Sequence, residues 1–259
     1  MDLGIKGRKA IVCGSSRGLG RGCVDALAAE GCEVLVNGID AERVEQAARE
    51  IRDAGGSVVQ AIAADVTTRE GRAKLLSAMP DPDILVTNAA GPPPSDFRDV
   101  DCDTLHAGIE KNMAAPIALI QAVIDGMVDR GWGRIVNITS SSVLIGIEGL
   151  DLSSGARAGL TAFLGGVSRQ VARRGVTINH LLPGMFDTDR LHSLDAAVAE
   201  MSGVTFAEAR AKRLAAIPAG RLGNPAEFGA ACAFLCSEQA GYMTGRGILL
   251  DGGMVPTNF

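Results

Sequence analysis

The 259-residue chain is 47% apolar but only 3% aromatic, and it carries a formal net charge of -5, with a pI near 5.3 and a mean hydropathy of +0.19. An acidic chain with no basic stripe excludes a nucleic-acid groove, no apolar run is long enough to span a membrane, and Met1 to Lys6 lacks a signal-peptide core. The length suits one α/β domain over 1–259, expected to be cytoplasmic, with Cys13, Cys23, Cys32, Cys102, Cys232 and Cys236 as free thiols and with no metal.

Taken in order, the first β-branched run, Lys9 to Cys13, ends in Gly14-Ser15-Ser16-Arg17-Gly18-Leu19-Gly20 and leads into a helix. Glycines there allow a tight turn and bring backbone amides, together with the positive end of the helix, to a pyrophosphate. The second run, Glu33 to Val36, ends at the tip Asn37-Gly38-Ile39-Asp40, where no carboxylate holds the place that would bond ribose hydroxyls. Runs at Val58 to Ala63 and Asp83 to Val86 follow, then Pro92-Pro93-Pro94, expected to be a stiff loop beside the site. One continuous helix is predicted over Thr104 to Arg130, then a strand over Arg134 to Ile138, a helix over Gly155 to Arg174, and strands at Thr177 to Leu182 and Gly247 to Leu250. This alternation predicts a Rossmann-type doubly wound parallel sheet of about seven strands. Residues 185–219 break the pattern. They are helical in character and begin at the carboxyl end of a strand, where a substrate lid would sit.

The spacing from Gly14 to Gly20 resembles the short-chain dehydrogenase/reductase family, and further marks stand in register along nearly the whole chain. They are Asp65-Val66, Thr87-Asn88-Ala89-Ala90, Asn112, Asn137-Ile138-Thr139-Ser140, Asn179 to Gly184 with Thr188, and Leu250-Asp251-Gly252-Gly253. The resemblance implies a dinucleotide held by Gly14, Ser16, Arg17, Gly18, Leu19, Gly20, Asn37, Gly38, Asp65, Val66, Asn88, Ala89, Ala90, Arg157, Pro183, Gly184 and Thr188. It also implies a homotetramer or dimer acting on a small carbonyl compound, as 3-oxoacyl reductases do. Arg17 stands where similar reductases set a cation against a 2′-phosphate, so NADP(H) is expected over NAD(H).

The family's proton donor is a tyrosine thirteen residues after the serine, with a lysine four further on. Counting from Ser140, those places hold Ser153 and Arg157, and the only tyrosine, Tyr242, lies far along the chain. The expected catalytic set is therefore Asn112, Ser140, Ser153 and Arg157. An aliphatic hydroxyl is a far weaker acid than a phenol, and Arg157 does not give up its proton. The proton would then come through ordered water, with Asp151, Asp187, Asp189 and His192 as other sources. Two further readings keep the dinucleotide: a non-redox lyase or hydrolase, and a sensor without activity.

Overall fold

The computed structural model describes residues 2–55 and 58–256. Seven strands, β1 (Lys9–Val12), β2 (Glu33–Gly38), β3 (Val59–Ala63), β4 (Ile84–Thr87), β5 (Gly133–Ile138), β6 (Val176–Pro183) and β7 (Gly247–Leu250), form one sheet. Their spatial order is β3-β2-β1-β4-β5-β6-β7, and every pairing is parallel. After β3 the chain crosses to the far side of β1, so the winding reverses between β1 and β4. A crevice opens at the carboxyl ends of these two strands, which is where ligands bind in open α/β sheets.

Alternate strand residues serve opposite faces. Val12, Val34, Val36, Val86 and Val136 pack under α1 (Gly18–Ala29), α2 (Ala41–Asp53) and α9 (Pro225–Cys236). Ile11, Leu35, Leu85, Ile135 and Ile178 pack under α3 (Arg69–Ala78), α5 (Ala115–Arg130) and α6 (Asp151–Val171). Both faces are therefore covered, which is why the strands read as continuous apolar runs. Helices α1 and α9 meet almost backbone to backbone. A Cβ on Gly22 would lie 2.1 Å from the Pro225 carbonyl oxygen, and one on Gly229 would lie 2.0 Å from the Gly22 oxygen.

The helix predicted over 104–130 is interrupted. Helix α4 (Cys102–Ile109) passes into a π turn at Glu110–Ala114 before α5 begins. The wider turn adds a residue while hardly disturbing the apolar rhythm, so periodicity did not disclose it.

After β6, segment 185–219 holds two helices, α7 (Asp189–Ser202) and α8 (Phe206–Ala215). They are tied by charge. The fully buried Asp195 carboxylate accepts from Arg210 Nη1 at 3.0 Å and from Arg213 Nε, and Asp187 accepts from Arg210 Nη2 at 2.6 Å. Burial works to raise the Asp195 pKa, but the bonds from Arg210 and Arg213 leave it below the ordinary value. Asp187 is lowered first of all by its bond from Arg210.

Because both folded values are depressed, the stabilisation is complete above the unfolded carboxylate value of roughly 3.9 and is lost as pH falls through the lower folded values. Asp195→Asn should loosen the pair of helices by about 2–4 kcal/mol, since it leaves Arg213 without a carboxylate and Arg210 with Asp187 alone. Hydrogen exchange should show residues 189–215 opening faster at neutral pH while the sheet stays protected. Unchanged exchange there would rule out the clamp.

Candidate active site

The loop after β1 gets its shape from two glycines in the left-handed region, Gly14 (φ +56°) and Gly18 (φ +59°). A third, Gly20, passes directly beneath the loop: a Cβ there would lie 2.2 Å from the Gly14 carbonyl oxygen. Asn88 Nδ2 donates to that same oxygen at 3.0 Å, fastening the end of β4 to the loop.

Asn37 is a brace. It is buried, its Oδ1 accepts from Gly14 N, and its Nδ2 donates to the carbonyls of Ile62 and Ala64. Beside it, a Cβ on Gly38 would come within 2.9 Å of Ser16 Oγ. A longer side chain at Gly38 would therefore have to displace Ser16.

Helix α1 has no side-chain cap and no acidic residue in its first turn. Side chains cap α2, α3, α4, α7, α8 and α9. The amides at the start of α1, including that of Leu19, thus keep their donors for something outside the helix. Thr188 caps α7 and stands opposite Gly18, with its Cγ2 3.7 Å from where a Cβ would be. Arg17 is exposed and reaches Asp189 at 3.7 Å.

At the edges of the crevice, exposed Asp65 accepts from the amide and hydroxyl of Thr67, which hold its pKa down. Val66 is partly buried beside it. Pro183 ends β6, and Gly184 N donates to Leu250 O, with no room for a Cβ against Asp251. Ala89 is partly buried and Ala90 exposed.

The remaining groups converge from β4, β5, the π turn and α6. Ser140 Oγ accepts from Ser142 N at 3.1 Å, which leaves its own proton free to donate. Asn112 sits within the π turn, which packs against α6. Its Nδ2 bonds Gly108 O, and its buried Oδ1 accepts from no protein donor.

Ser153 and Arg157, one turn apart on α6, form a pair in which Arg157 Nε donates to Ser153 Oγ at 3.2 Å. Arg157 Nη1 donates to Ile138 O at 2.8 Å and Nη2 to Ala89 O at 3.0 Å. The guanidinium therefore ties together the carboxyl ends of β4 and β5, and one hydrogen on each terminal nitrogen is left over. Arg157 is 8% exposed, and no carboxylate pairs with it among the described residues. Burial first, and then the nearby charge of Arg190, pull its pKa from 12.5 down to about 10.

Arg190 is the residue that sequence reasoning missed. Its Nη2 donates to Pro92 O at 3.4 Å. A Cβ on Gly91 would lie 3.5 Å from each of its terminal nitrogens and 3.1 Å from Ser153 Oγ. One signal was available: Arg190 is a cation in the first turn of α7, where the helix dipole disfavours it.

His192 lies elsewhere, bonded to Asp187 at 3.0 Å and stacked on Phe206. Asp151 is exposed at the start of α6, and Tyr242 is completely exposed. His180 is buried in β6, where desolvation lowers its pKa to about 4. Among the described residues no cluster of ligands fits a metal ion, and no helix is long and apolar enough to cross a membrane.

Residues 14–255 match the family model described as enoyl-(acyl carrier protein) reductase. The chain is similar to the 3-oxoacyl-(acyl-carrier-protein) reductase of Vibrio cholerae, 34% identical over 256 residues, covering 97% of this chain and 99% of the relative. Its structure is similar to that of L-sorbose reductase from Gluconobacter frateurii complexed with NADPH and L-sorbose. The TM-score is 0.94 at 26% identity, over 99% of this chain and 100% of the other. It is also similar to a solved short-chain dehydrogenase/reductase family protein, with a TM-score of 0.83 at 31% identity, over 98% and 99% of the two chains.

Proposed function

We propose, since this chain belongs to the short-chain dehydrogenase/reductase family, that it is an NADP(H)-dependent oxidoreductase whose proton donor is not a tyrosine. The observation that carries this reading is the turn after β4, where Asn88 bonds the glycine loop that opens uncapped α1 and the next residue, Ala89, accepts from Arg157 of the Ser153–Arg157 pair. The loop fits a dinucleotide. Gly18 leaves its mouth open, the amides at the start of α1 have no competing side-chain acceptor, and Gly38 presents no carboxylate to a 2′-phosphate. Gly14, Ser16, Gly18, Leu19 and Gly20 would hold the phosphates, Arg17 would leave Asp189 for the 2′-phosphate, and Asp65 and Val66 would meet the adenine. Asn88, Ala89, Ala90, Pro183, Gly184 and Thr188 would flank the nicotinamide end, with Asn37 bracing the loop. When bound, the nicotinamide supplies the hydride for reduction of a carbonyl carbon.

This chain's own residues handle the oxygen and the proton. Ser140 donates to the carbonyl oxygen. Ser153 stands where the family has its tyrosine, and Arg157 where it has its lysine. The bond from Arg157 Nε leaves the Ser153 proton free to donate. Asn112 Oδ1, a buried acceptor with no protein donor, holds the water through which the proton arrives. Arg157 contributes positive charge and spans Ala89 and Ile138, without entering a proton relay. Segment 185–219 acts as a lid on a single domain. The two relatives named for an activity are reductases, which favours this reading over a non-redox one.

Self-association is part of the proposal. Exposed Phe163 on α6 and the open space over Gly165 and Gly166 offer a surface for a second copy.

NADP should bind more tightly than NAD, and Arg17→Ala should remove most of that margin, about tenfold, because a charge-assisted contact to phosphate is lost. Titration of both dinucleotides against both proteins measures it. Equal affinities in the unmodified protein would overturn the cofactor assignment.

A further inference from the structure

We infer that Arg72 on α3 is a positioning residue for base recognition: through the Val66 and Thr67 carbonyls it sets the loop after β3 to read the edge of an adenine. This inference rests on the dinucleotide reading above and deepens it by naming what holds the base-reading groups in place.

The first observation is how the chain leaves the sheet. β3 is an edge strand with β2 on one side only, so carbonyls on its outer side and in the loop beyond it need partners from elsewhere. Helix α3 supplies them. Lys74 Nζ donates to Ala63 O at 2.9 Å, and Arg72 Nη1 donates to Val66 O and to Thr67 O, each at 2.9 Å. Glu110, the first residue of the π turn that carries Asn112, provides a counter-charge 3.7 Å from the same nitrogen. Helix and loop can approach this closely because residue 71 is glycine: a Cβ there would lie 1.8 Å from Asp65 O.

The second observation is what the loop leaves open. The amide and the hydroxyl of Thr67 both donate to Asp65 Oδ1. The Val66–Thr67 peptide is thus held at its carbonyl by Arg72 and at its amide by Asp65. Among the described residues, Asp65 Oδ2 and the Val66 amide have no hydrogen-bond partner. A free acceptor and a free donor therefore stand on adjacent residues. Adenine offers the complement, an amino group beside a ring nitrogen. Hypoxanthine, with a carbonyl in place of the amino group, would set oxygen against the Asp65 carboxylate.

Arg72 bonds neither of the two open groups, so its influence passes through the loop. Without it the Val66 and Thr67 carbonyls would turn to water, and the Thr67 amide that orients the Asp65 carboxylate would lose its fixed place.

Fluorescence titration tests this with three probes: NADPH, its deamino analogue with hypoxanthine for adenine, and reduced nicotinamide mononucleotide, which has no adenosine. The unmodified protein should bind NADPH about tenfold or more tightly than the deamino analogue. Arg72→Ala should remove most of that margin, and Arg72→Lys, which keeps a cationic donor, should restore part of it. Arg72→Met retains the packing of the stem without its donors and repeats the test should the alanine variant not fold. Affinity for the mononucleotide should be the same in every protein. A margin that survives Arg72→Ala or Arg72→Met, or no margin in the unmodified protein, would overturn the inference. So would an equal loss of affinity for the mononucleotide, which would make Arg72 a general support of the fold. Failure of the dinucleotide reading has a different signature, because the unmodified protein would then bind none of the three probes, and both readings would fall.

Discussion

Changing Ser153→Tyr and Arg157→Lys together should raise the rate of reduction of a neutral ketone such as cyclohexanone by about 10²–10⁴-fold. That is the range a positioned general acid contributes. Ser153 lies on α6 beside Gly91, with Arg157 one turn further along and bonded to it. Lysine would release the carbonyls of Ala89 and Ile138 and place an ammonium near the ring. Leu152 is no obstacle, because its side chain covers Gly108 on α4.

Tyrosine alone should help less, since the forked Arg157 would remain bonded to both strand ends. Initial rates of NADPH oxidation measure the gain. A double variant that folds, binds NADPH and gains nothing on any neutral ketone would sink the idea of a retained reductase site and favour a non-redox reaction.

Gly20→Ala should weaken dinucleotide binding roughly tenfold to a hundredfold, as expected when overpacking costs about 1–3 kcal/mol at the site itself. The added methyl would sit 2.2 Å from Gly14 O and 2.9 Å from Asn88 Nδ2. Neither can retreat cheaply, since Gly14 also bonds Asn37 and Asn88 directly follows β4. The loop would have to open, and with it the cradle of amides. Gly155→Ala is the control. Nothing lies within 4 Å of its Cβ position, and alanine favours helix, so affinity should hold and stability rise slightly. Fluorescence titration with NADPH compares the two, and unchanged affinity in Gly20→Ala would remove the loop from the binding site.

The alternation of β-branched runs with amphipathic stretches was enough to predict the doubly wound parallel sheet, because strands buried on both faces must be apolar throughout. The glycine spacing located the turn after β1, since a left-handed φ at Gly14 and Gly18 is a local demand that the residues themselves express. The absence of tyrosine near Ser140 was also plain from the chain alone.

What remained hidden depends on residues meeting across long separations. Asn37 stands at a strand tip that suggests a ligand contact, and only the packed sheet shows that its amide also donates to the carbonyls of Ile62 and Ala64. The charge of Arg157 suggested a grip on a ligand. Only the approach of β4 and β5 to α6 supplies the carbonyls of Ala89 and Ile138 that hold it. Arg190 carried a weak local sign, a cation in a helix's first turn. Its meaning came from the fold bringing α7 against Pro92, nearly a hundred residues earlier in the chain. Periodicity and spacing report the surroundings that neighbours in sequence impose. Where a side chain's polar atoms find partners is decided by which strand ends and loops the packed sheet sets beside it.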